Sequence, residues 1–279
     1  MPYPTLPSRR ALIVGAALLP IAGDLTTSAA DASTTDAPAA GRPAYGTVSP
    51  NASNYTGAVG RKFYIDGRTR PFPGCTMVSH VQPDTPLQKA LFEILDEAAA
   101  APVMKKFTLM PKSSLHMTLM DGIDDEHRRA PLWPRDVPVT ASLQDCIEWC
   151  SAHLKDFRTG RTGDYQMVRR EIGIDKLNSF TVHLKPISVV RDQEMRHTRD
   201  RLSETLQIRS PDHDRFGFHI TLGYLVEYLT EDEARVFFAQ YNRWMDNLFA
   251  ALPCLTLGQP EFCTFRDMSD FTRQFYLQD

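Results

Sequence analysis

The stretch that decides the fold is SSLHMTLM, residues 113–120. A run of this length with alternating apolar residues reads as a strand, and alternation sends residues two apart to the same side. His116 and Thr118 therefore share one face, while Met117 and Leu119 share the other. An isolated pair of this kind is an ordinary sight: a histidine beside a β-branched residue. This pair is not isolated.

The segment RFGFHITLGYL, residues 215–225, carries His219 and Thr221 in the same arrangement. The two His-x-Thr-Leu strings are 103 residues apart. The same offset relates HVQP at His80–Pro83 to HLKP at His183–Pro186, and Lys112 to Arg215. In each half, 36 residues separate the first histidine from the second. With this composition, random placement gives only about 0.06 copies of His-x-Thr-Leu, far fewer than the two present. A fixed offset that repeats strand, helix and strand is an internal duplication. Two such units pair about a pseudo-two-fold axis. The expected fold is α+β and bilobal, with antiparallel sheets and flanking helices around a central cleft.

Duplicating a fold requires only that apolar positions recur. Burying a histidine and a threonine twice costs free energy unless each finds partners. Symmetry brings both pairs to one cleft, where two imidazoles and two hydroxyls suit a small anion with several oxygens, such as a phosphodiester. One neutral imidazole takes a proton from the attacking oxygen, and one protonated imidazole gives a proton to the leaving oxygen. The threonine hydroxyls donate to the non-bridging oxygens as charge develops. His116, Thr118, His219 and Thr221 are thus the candidate catalytic residues. His80, His183, Lys112 and Arg215 are candidates for substrate binding. Lys112 and Arg215 each precede a motif histidine by four residues, which is the same face on a regular strand.

These motifs, HMTL at 116–119 and HITL at 219–222, resemble those of the two-histidine (2H) phosphoesterase superfamily. That group holds LigT-like RNA phosphodiesterases and 2′,3′-cyclic nucleotide phosphodiesterases. The resemblance covers residues 61–279. It implies His-x-Thr strands lining a groove and the opening of cyclic phosphates without a metal or other cofactor. It also implies His219 as the base that activates water and His116 as the acid. The partner is then a small phosphodiester or an RNA end. Two other classes fit the same residues. One is a binding module that recognises nucleotide or RNA ends without turnover; the other is a zinc protein using His80, His116, His183 and His219.

The rest of the chain frames this reading. It has 279 residues, 42% hydrophobic and 23% charged, enough to bury a real core. A net charge of −3 excludes bulk attraction to nucleic acid or an anionic membrane. Residues 1–32 resemble an export leader: the twin arginine Arg9–Arg10, an apolar run of about 12 residues, too short to span a bilayer, and a small-residue cleavage pattern at AADA. The expected destination is outside the cytoplasm, in the periplasm or medium. Residues 33–60 are rich in small and polar residues and read as a flexible linker. Helices are expected over DTPLQKALFEILDEAAA, with Asp84 as N-cap, over LQDCIEWCSAHL, over RDQEMRHTRDRLSETL and over the aromatic-rich run from Thr230 to Leu252. Residues 122–141, charged and proline-containing, read as a loop. Of the five cysteines, Cys254 and Cys263 are placed to meet across a hairpin in an oxidising compartment. Tyr224 has the strand parity of Ile220 and Leu222 and reads as packing. His127, His153, His197 and His213 read as exposed. GRTG at 160–163 reads as a turn.

Overall fold

The computed structural model describes residues 44–279. The leader and the first part of the linker lie outside the described residues.

Two strand–helix–strand units form the centre. In the first, β1 (Gly74–His80) leads through α1 (Pro86–Ala100) to β3 (His116–Asp124), with the short β2 (Phe107–Leu109) between. In the second, β5 (Ser179–Pro186) leads through α3 (Val189–Leu206) to β6 (His219–Leu225). Between them lie α2 (Leu143–Leu154) and β4 (Tyr165–Arg169); after them come α4 (Glu231–Ala251), β7 (Leu255–Leu257), β8 (Glu261–Asp267) and β9 (Asp270–Tyr276). The strands join one mixed-length sheet in the order β7-β4-β5-β6-β3-β1-β8-β9, with β2 on β6. The central four, β5-β6-β3-β1, read the same from either side. The pseudo-two-fold passes between Met117 and Ile220, the residues that pair β3 with β6. All the strand pairings are antiparallel.

The motif strands follow the alternation read from the sequence. In both, the histidine and threonine are half-buried, and the residues between them are fully buried. Met117, Leu119, Ile220 and Leu222 are all 0% exposed and form the core under the helices. Truncating Leu119 or Ile220 to Ala in such packing costs about 2–5 kcal/mol. The aromatic residues Phe237, Tyr241 and Trp244 of α4 join this core, as expected of them.

Local chemistry sets the helix ends. The N-cap of α1 is Thr85, not Asp84: the Thr85 hydroxyl accepts from the Gln88 N–H at 3.2 Å. Pro86 fixes the backbone at the first helical position, so the cap must be the residue directly before it. Asp84 takes a left-handed φ of 59° instead. Capping boxes start α2 (Ser142 with Asp145) and α4 (Thr230 with Glu233).

The segment before β1 is held by specific contacts. Leu229 N–H donates to the Thr47 carbonyl and Tyr228 N–H to that of Asn54. Further on, Phe63 is 0% exposed and packs on Tyr224 of β6, while Phe72 stacks on Phe265 of β8. Residues 63–72 thus run from one half of the sheet to the other.

The five cysteines are free thiols. Cys254 and Cys263 do not meet, because the strands beside them part: β7 pairs with β4 and β8 with β1, at opposite ends of the sheet. His213 is buried rather than exposed, against Asp200 at 3.1 Å. Among the described residues, no helix is long and apolar enough to cross a membrane.

Candidate active site

His116 and His219 stand beside each other at the overlap of β3 and β6, one residue before the pair Met117–Ile220. Each is flanked by the matching histidine of the next strand out. His80 lies opposite His116, with ring centroids 5.7 Å apart, and His183 lies opposite His219 at 6.5 Å. Residues paired in this way share a face. The sheet therefore brings together His80, His116, Thr118, His183, His219 and Thr221, six of the eight residues singled out in the sequence.

The two motif rings are held by the same device. His116 Nδ1 lies 2.6 Å from the Ser114 carbonyl, and His219 Nδ1 lies 2.7 Å from the Gly217 carbonyl. A carbonyl can only accept, so Nδ1 carries the proton in both rings and Nε2 is the nitrogen left for chemistry. Both carbonyls belong to the residue two before the histidine. The sequence does not show this, since a backbone acceptor leaves no residue signature.

The surroundings of the two rings differ. His116 packs on Phe271 of β9 at 4.2 Å and feels His80 and His219. Crowding out of water, followed by these two neighbours, drives its pKa down to about 3. Burial, with His219 and Arg170 nearby, pushes His183 down to about 4. Its Nε2 is buried without a hydrogen-bond partner. His80, by contrast, has a carboxylate: Glu261 Oε2 of β8 lies 2.9 Å from its Nδ1, and Glu261 is 0% exposed. Arg273 reaches the same carboxylate at 3.6 Å. Glu261 has no counterpart beside His183 in the contacts described.

Lys112 and Arg215 do not extend the motif strands. Both fall in 3₁₀ turns, Lys112 at the start of Lys112–Ser114 and Arg215 at the end of His213–Arg215, so strand parity does not apply to them. Lys112 turns to Asp96 of α1 at 2.7 Å and lies over the Phe92 ring. Arg215 is exposed.

A second departure from regular parity adds residues that the alternation hides. On β3 the register against β1 jumps: Val78 faces Thr118 and Met77 faces Met120, so one extra residue sits in β3. On β6 the same jump occurs, with Thr181 opposite Thr221 and Phe180 opposite Gly223. Each is a β-bulge, which reverses the alternation beyond it. Asp121 consequently pairs with Thr76, and Tyr224 with Ser179, on the face of the motif residues. Tyr224 is thus corrected from packing to the groove side. Asp121 and Tyr224 are themselves 103 residues apart. Tyr224 packs on Phe63, under the Lys62 ammonium, and donates its hydroxyl to Met268 Sδ at 3.8 Å. Asp121 is open to solvent from the groove, yet its walls strip it of water and raise its carboxyl pKa. Arg199, His219 and Lys62 pull the other way and Asp212 adds to the rise.

Arg199 of α3 secures the first bulge. It is 1% exposed, lies 4.0 Å over the Phe216 ring, and donates to the carbonyls of Leu119 and, at 3.1 Å, His213. A helix of the second half thereby grips the strand of the first at the extra residue.

The zinc arrangement of four histidines is not formed. Among the described residues, the donor clusters tight enough for a metal are His80–Glu261–Cys263 and Asp200–His213–Asp214, and neither holds two of the four. Two cavities, of about 290 and 450 Å³, lie elsewhere and have no motif residue on their walls. The first is bordered by the 160–163 turn and α3.

The family model described as 2H-phosphodiest, Domain of unknown function (DUF1868), matches residues 62–178, which contain β1, β3 and the first motif. No curated protein matches. A crystal structure of a conserved protein of unknown function, ATU0111 from Agrobacterium tumefaciens str. C58, shares the fold, with a TM-score of 0.75 and 24% identity over 83% of this chain and 97% of that one. E. coli LigT in apo form aligns with a TM-score of 0.39 and 11% identity over 75% of this chain and all of that one. Residues 62–178 are thus similar to the 2H-phosphodiesterase family model, and the chain shares its fold with a protein of unknown function.

Proposed function

We propose that the protein is a phosphodiesterase that opens a cyclic phosphate, of the 2′,3′-cyclic nucleotide or RNA-end type, by two-histidine acid–base catalysis without a metal. The family match supports phosphodiesterase-type chemistry. The observation that carries the finer reading is the pair of Nδ1–carbonyl hydrogen bonds, which orients two imidazoles alike and leaves Nε2 of each for proton transfer.

The depressed pKa of His116 supports it as the base, in place of the acid role that the resemblance implies. With a pKa of about 3 it holds a lone pair, not a proton, across the physiological range. His116 Nε2 accordingly takes the proton from the attacking water. The water oxygen bonds to phosphorus, the bond to one ester oxygen breaks, and His219 Nε2 delivers a proton to that oxygen. Thr118 and Thr221 donate to the non-bridging oxygens, where charge builds up. His80, beside His116 and tied to Glu261, lines the same face.

The test is a panel of cyclic and linear phosphodiesters, assayed with a chelator present. His116→Ala and His219→Ala are each expected to lower kcat by about 10²–10⁴, the usual range for an acid or base, with folding unchanged by circular dichroism. Full activity in either variant would refute the proposal. Saturable binding of the panel without product in the wild type would favour the binding module instead.

A further inference from the structure

The bulge on β3 delivers to the groove a carboxyl group that the proton-transfer chemistry does not use. Asp121 shares the face of His116 and Thr118, pairs with Thr76, and is reached by solvent. No side-chain hydrogen bond or ion pair engages it among the described residues. Arg199, whose charge acts on it, donates to two backbone carbonyls. A carboxylate close to a bound phosphate repels it, so Asp121 adds nothing to phosphate binding. It lies three residues past Thr118, about 10 Å along a strand, which leaves room for a sugar between phosphate and carboxylate. An ionised carboxylate only accepts hydrogen bonds, and accepts two side by side. Its complement is a planar group presenting N–H donors.

The other half differs at the same place. Tyr224 offers an aromatic face beside Phe63, with its hydroxyl turned to Met268. The duplicated groove is thus acidic beyond one threonine and aromatic beyond the other. A substrate with two unlike ends is required to use both.

Resting on the phosphodiesterase reading, we propose that Asp121 forms a base-recognition subsite that selects nucleotides whose base presents amino donors, guanine foremost and then cytosine and adenine, over uracil. Guanine offers two adjacent N–H groups, cytosine its N4 and adenine its N6 amino group, whereas uracil offers a carbonyl oxygen at the corresponding edge.

The test measures kcat/KM for the 2′,3′-cyclic phosphates of guanosine, cytidine and uridine with the wild type, D121N and D121A. The wild type is expected to favour guanosine and cytidine over uridine by tenfold or more. D121N keeps the shape but halves the acceptors; it should lose at least tenfold on the guanosine ester, mainly through KM, and little on the uridine ester. Melting temperatures report whether either variant is merely misfolded. Equal losses on all three esters, a loss confined to kcat, or no base preference in the wild type would overturn the subsite. If the wild type turns over none of the three, the cyclic-nucleotide form of the phosphodiesterase reading fails, and calorimetric titration decides the subsite alone. Guanosine-selective binding that D121N abolishes supports it; equal binding, or none, rejects it.

Discussion

At the scale of single residues, His116 carries the sharpest consequence. Its ring is faced by His80 from β1, His219 from β6, Phe271 from β9 and the Ser114 carbonyl. Burial and two neighbouring imidazoles all oppose its protonation. If it serves as the base, the acid limb of a kcat/KM profile lies well below 6.5, toward the value of about 3. A pH–rate series from 4 to 9 with a cyclic ester checks this, and an acid limb at 6.5 would contradict the assignment. The six groove residues named from the sequence were legible because side-chain identity and strand parity were both written in the repeat. Glu261 was not, for its role depends on β8 lying beside β1, a pairing that leaves no mark near the motifs. Lys112 and Arg215 were misplaced because the rule of alternation was applied before the strand had begun.

At the scale of elements, helices and strands were found where periodicity put them. The expected helix at 143–154 matches α2 to the residue, since a serine cap and an apolar stripe mark both ends. β2, three residues long, left too short a pattern to be seen, and the 122–141 loop gives up its first three residues to β3. The bulges escaped for another reason. An extra residue in a strand is defined by its partner, and the partner is a matter of topology. Arg199 was equally hidden: an arginine on a mostly polar helix reads as solvated, yet it is buried against the Leu119 carbonyl. Replacing it with Ala strands the Leu119 carbonyl and opens a cavity over Phe216. The expected cost is about 3 kcal/mol, combining lost charge-assisted hydrogen bonds with lost packing. Thermal unfolding of Arg199→Ala should show a melting point lower by roughly 6–12 °C. A shift under 2 °C would mean that the bulge holds without its clamp.

At the scale of the whole molecule, the protein pays for its groove with buried, proton-poor histidines. His116 and His183 have folded-state pKa values of about 3 and 4, below the ordinary 6.5 of an unfolded chain. Below pH 6.5 the unfolded state binds more protons, so stability present at neutral pH is lost as pH falls from about 6.5 toward 4 and below. Asp121, with its carboxyl raised, acts in the opposite sense over the carboxylate range. The melting temperature should drop by several degrees between pH 7 and 5, and less so in His183→Gln. An equal drop in both proteins would assign the acid sensitivity to other groups. The like succession of strand, helix and strand in the two halves was the part of the architecture most open to reading, and residues 103 apart, Met117 and Ile220, meet at the centre of the sheet.

The pairing of β1 with β8 has a consequence for how the chain comes to be folded. Gly74 and Phe265 are neighbours in space but 191 positions apart along the backbone. During synthesis the outer edge of β1 stays open until β8, far behind it in the chain, has left the ribosome. Loops this long close slowly, and an open edge invites pairing with another nascent chain. The first motif can therefore be complete in sequence long before its supporting wall exists, and a chain that stops short of Glu261 would be left with a strand edge exposed to aggregation.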